Sequence, residues 1–290
     1  MHTHYEPSGK VDTNKAIALT LGALVIITIL SFVYTAINAY NPIVYLSFLA
    51  VFGYGFALYY MLTYIMEEAK FRSKALGLGL LVLLGLWANY TQWVGFVDYI
   101  SNGAELSIGS YFSSLADPGA LFEMIPLINT MGTWGLGDSG TVSGGMLWGI
   151  WGIEFLMLLL VPLYFNWGTD IRPYSETQER FYDDLVVKEV FAPITSVPAA
   201  EKALQADTVG YLKSIDPTQT LPGSMVQLFT LPGENQSYLS MLKVTQDDKG
   251  NIQTTPLISN LRISNAAAQE LKAHYAEVRD KAALDVKIED

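Results

Sequence analysis

Glu154 is the residue whose type and position most invite chemistry. It stands in Trp148-Gly-Ile-Trp151-Gly-Ile-Glu154-Phe-Leu-Met, near the middle of a long apolar run. An ionised side chain at the centre of a hydrocarbon layer costs roughly 3 kcal/mol or more unless it is paired, hydrated or protonated. A carboxyl held there is suited to carry a proton or to ligate a cation. Its plain alternative is a protonated acid bonded to a neighbouring helix. The apolar run before it supplies partners: at about 100° per residue, Gly85, Asn89 and Gln92 share one helical face. Tyr54, one run earlier, is placed to reach inward. Interhelical hydrogen bonds of this kind contribute about 0.6–2 kcal/mol each. No second acid or base stands at matching depth.

Glu154 shares its helix with a stripe of small residues. Gly145, Gly149 and Gly152 fall on one side and would allow another helix to approach closely. Glu154 lies about 180° around the helix from Gly145. A helix at the edge of a four-helix bundle has neighbours on only part of its circumference. One of these two faces is therefore expected to meet another chain, either a second copy or a different membrane subunit.

Other reactive residues are scattered. Glu105, Asp117 and Glu123, with Asp98 and Asp138, lie between Val97 and Ser143, a stretch without Lys or Arg. They would be the acids of an enzyme acting on lipid, but no base or metal site accompanies them. His2 and His4 form an H-x-H at a terminus expected to be disordered, and His274 lies on a helix without an evident nucleophile. No histidine stands in an apolar run to ligate haem. The chain has no cysteine, which excludes disulfides, thiolate zinc, iron–sulfur clusters and thiol catalysis. No Walker, Rossmann, H-E-x-x-H or G-x-S-x-G pattern occurs. The expectation is a chain with no cofactor, no metal and no catalytic constellation.

The elements that position Glu154 are four apolar runs, at about 16–39, 43–65, 75–96 and 144–165. Each can cross roughly 30 Å of hydrocarbon at 1.5 Å per residue. No Lys or Arg occurs from Ala16 to Ala69 or from Ala75 to Ile171. Across the 290 residues only 16% are charged and 51% are hydrophobic, where soluble domains carry about 25% charge. Lys10 and Lys15 precede the first run, Lys70, Arg72 and Lys74 fill the second connection, and Arg172 and Arg180 follow the fourth. The positive-inside rule then places both termini in the cytoplasm, with the chain integral to the plasma (inner) membrane. The formal net charge of −11 disfavours nucleic acid as a partner.

The expected fold is an α-helical, four-span membrane protein, N-in and C-in, with a small cytoplasmic α+β domain. Residues 1–15 form an N-terminal tail, 16–165 the membrane domain, and 97–143 its acidic outer loop. The first run exceeds the 7–15 apolar residues of a signal peptide and is expected to be retained. Asn41-Pro42 reads as a tight turn. In the outer loop Asp117 can cap a short helix with Pro118 at its first position, Ala120–Asn129 is mostly apolar, and Pro126 would kink it. The segment is too short to span and reads as interfacial or re-entrant. Gly132-Thr-Trp-Gly135-Leu-Gly137, with Gly140 to Gly145, leads into the fourth run. Aromatics crowd the second and third runs, among them Tyr40, Tyr45, Tyr59, Tyr60, Tyr64, Trp87, Tyr90 and Trp93, and read first as interface belts and helix packing.

Residues 166–290 hold 12 basic and 18 acidic residues, unlike a polybasic lipid-binding module. Ser175–Val187 and Pro198–Ser214 are expected as helices. Met225–Leu231, Tyr238–Thr245 and Asn251–Arg262 are expected as strands, with Asp247 and Asp248 at a hairpin tip. A final helix follows a cap at Ser264 or Asn265, with Leu271, Tyr275, Val278 and Ala282 as its apolar stripe.

The first functional expectation is a non-enzymatic accessory, scaffold or assembly subunit of a membrane complex, with the tail as its docking module. Its partners would be the lipid bilayer and either its own copies or other membrane subunits. The alternative is a small oligomeric cation channel or proton-coupled transporter using Glu154, with Asn89 and Gln92 nearby.

Overall fold

The computed structural model describes residues 3–41, 44–133, 141–166, 172–187, 189–218 and 220–285. Trp134–Gly140, with Asp138 and the glycines around it, lies outside the described residues, as do His2 and Pro42. The chain divides into two compact units, Gly9–Thr169 and a second made of Met1–Ser8 with Asp170–Asp290.

The first unit is built on four helices long and apolar enough to cross a membrane: α1 (Thr13–Tyr40), α2 (Val44–Glu68), α3 (Lys74–Ser101) and α6 (Gly144–Asn166). Their starts obey capping chemistry. Asp12 accepts from the Lys15 N–H at 3.2 Å and Ser73 from the Leu76 N–H at 3.3 Å, satisfying donors that a helix start leaves free. The helices pack in the ring order α1–α2–α6–α3. Ile27, Leu58, Leu62, Ile65, Leu84 and Leu158 fill the half of the bundle nearest the basic residues and are almost wholly buried. That end is also tied by backbone: Gly9 donates to the Arg72 carbonyl, Arg72 to that of Lys10, and Asp12 to that of Ala69. Lys15 and Glu68 form an exposed ion pair at 2.7 Å.

Two short helices, α4 (Ile108–Ser114) and α5 (Pro118–Met131), cover the other end. Asp117 caps α5 by accepting from the Ala120 N–H at 3.1 Å, with Pro118 at the first position, and the helix runs through Pro126. Leu121 and Ile128 are buried, whereas Phe122, Leu127 and Met131 face outward. Helix α4 was not expected, and it places Tyr111 fully buried between α1 and α3. The Tyr111 hydroxyl donates to the Thr28 carbonyl at 2.8 Å. Asp98, also buried, accepts from Ser110 at 2.9 Å and Ser114 at 3.3 Å. These bonds fasten α4 to the end of α3.

The second unit carries a four-stranded antiparallel sheet in the order β3 (Asp183–Val186), β4 (Gly223–Thr230), β5 (Gln236–Gln246) and β6 (Ile252–Ser264). Helices α7 (Val197–Ala206), α8 (Thr208–Ser214) and α9 (Asn265–Asp285) accompany it. Leu204, Leu212 and Leu271 join Val226, Leu228, Leu239 and Ile258 in one core. Tyr182, Phe229 and Tyr238 form a smaller cluster. The β5–β6 hairpin turns at Asp247, whose carboxylate accepts from the backbone of Lys249 and Asn251. The side chains of Val278 and Ala282 lie outside the described residues.

Three expectations for this unit are corrected. Ser175–Val187 is not a helix: Tyr174–Ser175 (β1) pairs with Arg180–Phe181 (β2), and β3 follows to pair with β4. Glu179 has a φ of 51°, outside the right-handed helical region, so the turn between β1 and β2 interrupts any helix. Pro198–Ser214 is two helices, because Asp207 turns away at a ψ of 92° and caps α8 through the Gly210 N–H.

The terminal segment is the third correction. His4 bridges to Leu261, Tyr5 N–H donates to the Asn260 carbonyl, and Arg262 N–H donates to that of Thr3. The open edge of β6 thus gains a short extra strand, as exposed edges favour. His4 presents both ring nitrogens to acceptors, the Ser259 carbonyl at 2.7 Å and the Glu201 carboxylate at 2.9 Å. Both contacts are fully used only by the doubly protonated ring. Burial opposes that charge, but the Ser259 carbonyl and the Glu201 carboxylate outweigh it and raise the pKa above the ordinary histidine value. A raised pKa stabilises the folded form below the ordinary value, and the contribution disappears as pH rises through the raised one. The protection factor of the Tyr5 amide, exchange corrected for its intrinsic pH dependence, should therefore fall from mildly acidic to alkaline pH. In His4→Ala it should be low throughout and lack that pH-dependent fall.

Candidate functional site

Where α1 and α3 end and α2 and α6 begin, the four helices border a partly open cavity of about 340 Å³. This is within the size range of small-molecule pockets. Glu154 and Gln92, singled out from sequence, both line it. Glu154 lies ten residues into α6, about 15 Å along the helix from Gly144. Among the described residues it makes no hydrogen bond or ion pair. The Gln92 side chain is 7% exposed, and its Oε1 has no hydrogen-bond partner among the described residues. Thr133 Oγ1 is buried and unpartnered in the same way and lines the same cavity. Buried polar atoms left unpaired cost free energy, so a cavity holding two of them is poised for a ligand or water to complete the bonding.

The walls are aromatic. Tyr34, Phe48, Trp93, Phe96, Tyr99 and Trp151 line the cavity. Trp93 and Trp151 meet edge to face at 4.6 Å between ring centroids, locking α3 against α6 beside Glu154. No Lys or Arg is among the lining residues. Among the described residues Glu154 is therefore the sole formal charge of the lining.

A satisfied polar layer connects α1, α2 and α3. Ser31 Oγ lies 2.6 Å from the Tyr54 hydroxyl and 2.5 Å from Thr91 Oγ1, and all three residues are buried. Tyr54 thus reaches inward, but it serves helix packing and is not among the lining residues. Asn89 is half-buried and also absent from the lining. Gly85 marks the seam between α3 and α6: a Cβ there would collide with the Leu159 side chain and sit 3.7 Å from the Leu158 carbonyl oxygen. Gly145, Gly149 and Gly152 differ, because a Cβ at any of them meets nothing within 4 Å among the described residues. Glu154 therefore turns toward its own chain, and the glycine stripe turns away from it.

Glu105, Asp117 and Glu123 are all exposed and none lines the cavity. Asp117 is engaged as the cap of α5. Among the described residues no group of three or more His, Asp or Glu side chains could hold a metal ion.

Sequence reasoning missed the α1 wall, formed by Tyr34, Thr35 and Asn38, and missed Thr133. A signal was present: Thr28, Ser31, Thr35 and Asn38 follow helical spacing and draw a polar stripe along an otherwise apolar helix. Comparison of the chain with protein-family models, with curated proteins and with solved structures returns no match.

Proposed function

We propose that this chain is a plasma-membrane protein that binds a cation in the cavity beside Glu154 and passes it across the bilayer. The observation that carries this reading is the meeting, around one cavity of the four-helix unit, of Glu154 with Gln92 Oε1 and Thr133 Oγ1, two buried oxygens without hydrogen-bond partners among the described residues. A single carboxylate without a cationic neighbour favours a positive guest. The proposed orientation has both termini in the cytoplasm and the cavity toward the outer face. Every basic cluster flanking the spans supports it. An apolar core with Leu58, Leu62, Ile65 and Leu84 fills the half of the bundle nearer the basic residues. The test is cation flux into liposomes bearing the wild type or Glu154→Gln.

A second reading is favoured by the glycine stripe. A Cβ added at Gly145, Gly149 or Gly152 would meet nothing within 4 Å among the described residues, and close helix approach is what such a face permits. On this reading the chain is an accessory or assembly subunit, as a homo-oligomer or with other membrane subunits, and the sheet-bearing unit is its cytoplasmic docking module. Native mass spectrometry after gentle extraction separates the two: a stoichiometric complex with other subunits supports the second reading, and this chain alone the first.

A further inference from the structure

We infer that the cavity is built for a protonated organic amine, primary or secondary, and not for an inorganic cation or a proton alone. The inference rests on the cation-binding reading above and names the class of guest. Three features of the lining carry it.

The first is the chemistry of the walls. Trp93 and Trp151 stand beside Glu154, and Tyr34, Phe96 and Tyr99 complete the aromatic surround. Aromatic faces attract weakly hydrated organic cations through their quadrupoles, especially where water is excluded. A hard metal cation instead requires six or more oxygen ligands at short range. Among the described lining residues Glu154 is the one carboxylate, and the other polar groups are neutral amides and hydroxyls set among aromatic rings.

The second is the pattern of unmet hydrogen bonds. Gln92 Oε1 and Thr133 Oγ1 are buried without hydrogen-bond partners among the described residues. An ammonium carrying N–H groups could donate to Glu154 and to these oxygens, whereas a quaternary ammonium has no N–H to give. The third is size: about 340 Å³ is far more than a bare ion or proton needs and suits an amine with an apolar body. The charged end would sit at Glu154 and Gln92, and the body would rest against the rings.

The experiment uses the full chain in lipid nanodiscs and equilibrium binding of labelled benzylammonium, with benzyl alcohol, benzoate, tetramethylammonium and sodium as competitors. The expected result is saturable benzylammonium binding, displaced by none of the four at equal concentration. Glu154→Gln should weaken it at least tenfold, and Gln92→Leu a few-fold. Benzyl alcohol competing equally would reduce the site to an apolar pocket and overturn the inference. So would tetramethylammonium competing equally, since the N–H acceptors would then play no part. Both comparisons are made on the wild type, so they stand even if a variant fails to fold. Sodium or proton flux without any amine binding would overturn the inference and leave the transport reading intact. Amine binding without flux of any cation would uphold the inference and overturn transport.

Discussion

Gly85→Leu should unfold the seam between α3 and α6, while Gly149→Leu, on the same bundle, should leave the isolated chain as stable as the wild type. The difference lies in what the added atoms meet. At Gly85 a Cβ already collides with Leu159, and the Leu158 backbone lies directly behind. A rotation of Leu159 can relieve Ala at this position, but a branched side chain must push the helices apart. Overpacking of this kind costs about 1–3 kcal/mol, occasionally more. Separating the helices also removes the Trp93–Trp151 contact, worth a further ~1 kcal/mol. Thermal unfolding in detergent should show a large drop for Gly85→Leu, a small one for Gly85→Ala and none for Gly149→Leu. If Gly149→Leu leaves the monomer stable but dissolves a natural complex, the accessory-subunit reading gains its main support.

Glu154→Gln should reduce cation flux to the background of protein-free liposomes. Glutamine keeps the size and much of the hydrogen-bonding capacity of glutamate, so the fold is expected to survive. The charge does not survive, and among the described residues no other acid lines the cavity to replace it. Leaving one partner of a buried charge pair uncompensated costs about 3–5 kcal/mol, equivalent to roughly 100-fold or more in occupancy. Gln92→Leu removes a neutral acceptor, worth about 1 kcal/mol, and should lower flux only several-fold. Glu105, Asp117 and Glu123 are exposed and not among the lining residues, so their amide variants should transport normally. Unchanged flux in Glu154→Gln would remove the transport reading.

Much of the fold was legible because a bilayer imposes severe rules on sequence. The long gaps in Lys and Arg mark the four helices directly, since few other structures tolerate so much apolar chain without charge. The Asp117-Pro118 cap is equally local, and α5 begins there. What escaped depends on contacts remote in sequence. Ser175–Val187 has a helix-compatible composition, yet it pairs as strands because β4 offers an edge some forty residues later. The terminal His4 segment is ordered by Ser259, Leu261 and Glu201, none of which is near it in the chain.

The cavity was half legible for the same reason. Glu154 stands out because a carboxyl in an apolar run is expensive, and Gln92 because it shares a face with a glycine. Thr35 and Asn38 are ordinary helix-compatible residues, and only the packing of α1 against α3 makes them a wall. Thr133 gains its place from the turn after α5, where Gly132 takes a φ of 80°. At that glycine a Cβ would lie 2.7 Å from the Val142 carbonyl oxygen, so the close approach requires glycine.

The central claim is that the Glu154 carboxyl meets a cation inside the cavity. Infrared difference spectroscopy of the reconstituted protein, with and without benzylammonium, tests it most directly. The account predicts a change in the carboxyl stretching region in the wild type that disappears in Glu154→Gln and persists in Glu105→Gln. A spectrum without that change, or one identical in Glu154→Gln, would contradict it.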